Sequence, residues 1–181
     1  MPPMADRTGT ALWGWRIGLV VLAAAIVFVR LLPSDGAAAG AAAPDLVLCL
    51  FCAVVLRRPE FAPALLIAAL VLVEDMLTMR PPGLWAALVL GATEFLRARA
   101  GLSRELGLLG EWLLVAGVIV AAFGANRAVL GLAMVPQPGF GDVALQAGFT
   151  VLAYPAVVAI LRLAGLRKPA TGETDRMGRP L

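Results

Sequence analysis

The sequence predicts an all-α membrane protein of six bilayer-crossing helices joined by short loops, with both termini in the cytoplasm. Three observations carry that prediction. The chain of 181 residues is 61% hydrophobic and 15% charged, with a mean hydropathy of +0.89, more apolar surface than a water-soluble domain needs. The apolar residues fall into successive runs of about 20, the length that crosses a hydrocarbon core of roughly 30 Å. Arginine is also strongly biased towards alternate loops. The formal charge of +3 and pI near 9.5 therefore call for no nucleic acid, because basic residues beside apolar spans set topology.

Apolar runs read against breakers place the spans at about 12–32, 36–56, 61–79, 81–97, 106–129 and 143–163, in one transmembrane domain over 1–166. The first follows Arg7 and Arg16. A cleavable signal ending in the GAAAGAAAP stretch would leave Asp45 to Leu56 as the next span, too short at about 1.5 Å per residue, so the first helix is read as uncleaved. The Ala- and Gly-rich residues from Gly36 to Ala43 then form a slim outer end of the second helix. The third ends at Arg80-Pro81-Pro82-Gly83. The fourth is short unless it extends back through the two prolines, which suit a first helical turn, or forward to a snorkelling Arg97. The fifth begins after Arg104. The sixth contains Tyr154-Pro155, which predicts a kink and a freed carbonyl in need of a partner. Arg167 to Leu181 is polar and bears Pro and Gly, and is expected to be a disordered cytoplasmic tail that anionic lipid attracts.

With the amino terminus inside, Arg7, Arg16, Arg57, Arg58, Arg97, Arg99, Arg104, Arg162, Arg167, Lys168, Arg176 and Arg179 collect on the inner side. Arg30, Arg80 and Arg127 alone stay on the outer side. Trp13, Trp15, Trp85 and Trp112 fall near span ends, where indole favours the interface.

The adjacent carboxylates Glu74 and Asp75 lie inside the third span, where charge persists only if it faces protein or water and finds a partner. Arg30, Asp45, Glu74, Asp75, Arg80 and Arg127 all fall in the outer part of the bilayer, three bases against three acids, and a network of them would clamp the first, second, third and fifth helices. Neighbours on a helix diverge by about 100°, so Asp75 is expected to face inward and Glu74 to meet Arg80 or the headgroups. Balanced charge favours ion pairs that fix packing, with a proton or ion relay as the alternative. A second charged layer holds Glu94, Arg97 and Glu111 near the inner face. Its i, i+3 spacing suits a local Glu94–Arg97 pair, and a partner's helix would fit it equally well.

The chemical inventory is thin. There is no histidine, the commonest general base and metal ligand. Cys49 and Cys52 form a C-x-x-C among Leu, Phe and Ala with no basic neighbour to favour a thiolate, and read as small buried hydrophobes. No cofactor site and no enzyme activity are expected.

From Pro44 to Trp112 the chain resembles the rod shape-determining MreD family. The resemblance rests on Asp75-Met76-Leu77, Thr78-Met79-Arg80 and Pro81-Pro82-Gly83-Leu84-Trp85-Ala86, with Asp75, Pro81 and Gly83 as its fixed points. Pro44, Arg58-Pro59, TEFLRAR around Thr93 and EWLLVAG at Glu111 are also similar. One departure is Val71, where the family often has glycine. The resemblance implies a non-catalytic scaffold or regulator of peptidoglycan synthesis in the bacterial inner membrane. Its implied partners are MreC and, through it, MreB, RodA and a class B penicillin-binding protein. It is compatible with a homodimer. The family is also distantly similar to the six-helix substrate-binding subunits of energy-coupling-factor transporters, so the alternative is a small-solute binding or transport subunit. The scaffold predicts free small-residue faces at Ala87 with Gly91 and at Gly117 with Ala121. The transporter predicts an outward cavity lined by Asp75, Asn126 and Arg127.

Overall fold

The run LVLCLFCAVVLR is apolar on every face, and a helix of that kind belongs inside other helices. It is α2 (Leu46–Arg57), and every residue from Val47 to Arg57 is buried. The computed structural model describes residues 5–32, 43–101 and 107–166, with side chains from residue 12 onward. Among the described residues there are six α-helices and no strand. Around α2 stand α1 (Ala5–Leu31), α3 (Ala64–Leu77), α4 (Leu84–Ala98), α5 (Leu108–Leu132) and α6 (Phe140–Leu163), with a short 3₁₀ turn at Pro59–Phe61. α2 packs directly on α1, α4 and α6, while α3 pairs with α4 and α5 bridges α4 and α6.

Three helices are long and apolar enough to cross a membrane: Leu12–Leu31, Leu108–Leu132 and Phe140–Leu163. The other three have 12, 14 and 15 residues, so at 1.5 Å per residue they reach only about 18 to 23 Å. The expected spans were longer because breakers were counted into them. α2 begins after Asp45 rather than at residue 36, and α4 begins at Leu84 rather than in the prolines. Pro81 and Pro82 form the turn itself. Gly83 follows at φ +91°, a conformation that side-chain-bearing residues rarely adopt. The predicted slim end of the second helix over 36–42, together with Arg104 and the tail over 167–181, lies outside the described residues.

Three helices end in the same left-handed cap. At Gly165 the sequence announces it, and Leu166 N–H returns to the Leu161 carbonyl at 2.9 Å. At the ends of α3 and α5 the left-handed residue is methionine instead. Met79 and Met134 both have φ +54°, and the following N–H groups of Arg80 and Val135 each bond five residues back, to Asp75 and Leu130, at 3.0 Å.

Polarity is distributed opposite to that of a water-soluble bundle. Asp45, Arg57, Glu74, Asp75 and Glu111 are buried, whereas Phe28, Leu65, Met76, Leu109, Leu113, Leu152 and Ile160 are exposed. Lipid tails accept that exterior at no cost, while water would not. Trp85 departs from the interfacial placement expected of it. It is buried and packs on Phe123 with ring centroids 5.0 Å apart. Val71 is fully buried, so α3 closes on its neighbours with a branched side chain where the resembled family often has glycine.

Candidate functional site

Two clusters of buried charge lie at opposite ends of α2. At its N-terminus, Asp45 caps the helix: its Oδ1 accepts the Leu48 N–H at 3.0 Å, and its own N–H donates to Thr150 Oγ1 on α6 at 2.9 Å. Arg30, one residue from the end of α1, reaches across with Nη1 at 3.0 Å from Glu74 Oε1 and 3.8 Å from Asp45 Oδ2. One guanidinium thus joins α1, α2 and α3. Glu74 is 1% exposed and faces Arg30, not Arg80 or the surface as expected.

Asp75 does face inward, and its role is local. Its Oδ2 accepts the N–H groups of Gly83 at 3.1 Å and Ala86 at 3.2 Å, so a carboxylate on α3 caps the N-terminus of α4. Gly83 supplies no side-chain cap of its own. The carboxylate also meets the positive end of the α4 dipole, which stabilises its charge away from water. The Asp-to-Gly spacing that carries the family resemblance is therefore a hairpin lock. Asp75→Asn keeps an acceptor at this place and should cost little, whereas Asp75→Ala should lower stability by about 1 to 2 kcal/mol. Denaturant titration of both variants in mixed micelles checks the order. A larger loss with Asn than with Ala would contradict the capping role.

Two predicted members form no hydrogen bond or ion pair with this network among the described residues. Arg127 sits under the α5–α6 loop, donating to the Pro138 carbonyl at 3.0 Å with its guanidinium over the Phe140 ring. Arg80 lies over the Trp85 ring at 5.5 Å. Asn126 lines a cavity between these loops together with Arg127, whereas Asp75 does not line it.

The other cluster was not foreseen. Arg57, counted from sequence among the inner-surface arginines, is buried at the end of α2. Its Nη1 lies 2.9 Å from Glu111 Oε1 on α5 and 3.0 Å from the Ala53 carbonyl. Tyr154 on α6 donates to the same Glu111 oxygen at 2.6 Å. Three helices meet in this triad, and all three side chains are almost wholly buried. Next to it the carbonyl of Val151, four residues before Pro155, accepts the Trp112 Nε1–H at 2.9 Å. Pro155 leaves that carbonyl without its helical donor, and the indole replaces it.

Nearer the same end, Arg97 pairs with Glu94 at 3.0 Å and also donates to the carbonyls of Pro59 and Ala62 at 2.9 and 2.7 Å. Arg16 donates to the Glu60 carbonyl at 3.1 Å. Two arginines therefore hold the backbone of the α2–α3 connection. Cys49 and Cys52 are buried and unlinked, and the Cys49 thiol donates to the Thr150 carbonyl at 3.2 Å.

Chemically, these carboxylates bind the chain's own helices. Each buried acid contacts an arginine, a tyrosine or a helix N-terminus, and no group of three His, Cys, Asp or Glu side chains is placed to hold a metal ion among the described residues. Comparison with models of protein families, with curated proteins and with solved structures finds no match to this chain.

Proposed function

We propose that this chain is a non-catalytic membrane scaffold of the MreD kind. It lies in the bacterial inner membrane, crosses it six times and binds MreC. Through MreC it joins MreB, RodA and a class B penicillin-binding protein in side-wall peptidoglycan synthesis. The short helices α2, α3 and α4 would complete their crossings with turn residues, several of whose N–H groups are taken up by the chain itself: Gly83 by Asp75 Oδ2 and Arg80 by the Asp75 carbonyl. The resemblance rests on the Asp75 to Ala86 motif, and the cap that this motif forms gives it a physical reason.

One observation carries the scaffold reading. Ala87, Gly91, Gly117 and Ala121 are exposed and line an apolar groove of about 530 Å³ between α4 and α5. With the buried charges turned inward onto each other, this groove offers a partner's helix a close approach to bare backbone. A Cβ at Gly91 or Gly117 would meet nothing within 4 Å. Gly91→Leu with Gly117→Leu should therefore keep the protein at its normal level while MreC recovered with it from native membranes falls at least several-fold. Unchanged recovery of MreC would count against the reading.

The small-solute subunit remains a second reading, favoured by the cavity that Asn126 and Arg127 line at the Asp75 end. Recovery of an ATPase module and a bound vitamin in the same purification would select it.

A further inference from the structure

The cavity at the Asp75 end, about 630 Å³, opens between the last turn of α1, the α3–α4 turn and the α5–α6 loop. Its walls are of two kinds. Leu84, Trp85 and Phe123 give it an apolar flank, while the arginines Arg30, Arg80 and Arg127 stand around it. No carboxylate lines it among the described residues. Asp45, Glu74 and Asp75 are buried, and Asp75 is engaged by the amides of α4.

Arg30 is neutralised by Glu74 at 3.0 Å. Arg80 and Arg127 differ from it, because neither forms an ion pair among the described residues. Arg80 lies within electrostatic range of Glu74, and its guanidinium stands over the face of Trp85 at 5.5 Å. Arg127 gives one N–H to Pro138 and lies over Phe140. A guanidinium stacked on a ring keeps its edge donors directed outward in its own plane, the geometry that binds anionic oxygens two at a time. Gln137 holds the loop beneath them, its amide oriented to donate to the Arg127 carbonyl at 3.2 Å and accept from Gly131 N–H at 2.7 Å.

We propose that this cavity binds a phosphate group, with Arg80 and Arg127 as its two cationic contacts and the apolar flank taking the adjoining hydrocarbon. The two arginines approach from different elements, so the ligand must offer acceptor oxygens on more than one side. Phosphate does so and a single carboxylate does so less well. The site lies at the ends of the long apolar helices, where headgroup phosphates stand in a bilayer, so an anionic phospholipid is its nearest source. The inference goes beyond scaffolding, and its test measures binding independently of any protein partner.

The test uses the full chain in phosphatidylcholine nanodiscs with phosphatidylglycerol titrated in, and counts lipid retained after release by native mass spectrometry. Phosphatidylglycerol should be retained in preference to phosphatidylcholine, and Arg80→Gln with Arg127→Gln should weaken that retention roughly tenfold or more. Arg80→Gln alone removes no side-chain hydrogen bond and leaves the Arg127–Pro138 contact in place, so a several-fold loss with it reports the site and not the loop. Arg162→Gln, an exposed arginine near the far end of α6, should change nothing. Displacement of the lipid by millimolar inorganic phosphate would support the phosphate site and assign it to a soluble anion. Equal retention by the unaltered chain and the double variant, or an equal loss with Arg162→Gln, would overturn the proposal.

Discussion

Arg57→Met should destabilise the bundle by about 3 to 5 kcal/mol, because it removes one partner of a buried ion pair and takes the Arg57 guanidinium away from the Glu111 carboxylate. Arg57 and Glu111 have side-chain exposures of 0% each, so water cannot replace the lost partner. The same reasoning predicts that removing both charges is much milder. Arg57→Met with Glu111→Leu should return most of the lost stability, since a well-packed apolar pair often equals a buried ion pair. Tyr154→Phe removes one hydrogen bond to Glu111 and should cost about 1 kcal/mol, the range for polar contacts inside membrane bundles. Detergent-driven unfolding of the single and double variants forms a thermodynamic cycle for the triad. Additive losses in the double variant would show that the two side chains act separately.

Arg30→Gln should cost about 3 kcal/mol for a related reason with one difference. Its side chain is 24% exposed, but the side chains it holds, Glu74 and Asp45, are each 1% exposed. Without Arg30 the Glu74 and Asp45 carboxylates repel each other, with only the more distant Arg80 to offset them. Arg30→Gln with Glu74→Gln removes that repulsion and should recover about half of the loss or more. The readout is again unfolding in mixed micelles, supplemented by protease cleavage at the α3–α4 turn. Arg30→Gln that unfolds like the unaltered chain would show that this pair does not hold α1 to the bundle.

The helical class and its apolar runs were legible because composition and run length depend on the sequence alone. Element ends were harder. Arg80-Pro81-Pro82-Gly83 reads as a breaker, yet whether the prolines begin a helix or make the turn depends on Asp75, which captures the α4 amides from another helix. Met79 and Met134 terminate helices in a conformation usually left to Gly or Asn, so no local signal marked them. At the site, the inward face of Asp75 and the freed carbonyl before Pro155 followed from helix geometry. The partners did not follow. Glu74 meets Arg30 and not Arg80 because the register of α1 against α3 decides it, and Arg57 was counted with the loop arginines because it precedes Arg58-Pro59. The signals that could have found the triad were Glu111 in a helix start and Tyr154 in mid-span, each a polar group inside apolar surroundings that requires a partner.

In the proposed scaffold, the α4–α5 groove receives a helix of MreC. Photocrosslinking from a probe placed at Gly91 or Gly117 in native membranes measures it directly. The groove reading predicts a covalent adduct with MreC from both positions and none from Leu65 or Leu152, exposed positions elsewhere on the bundle. Adducts from Leu65 or Leu152 with none from Gly91 and Gly117 would contradict it.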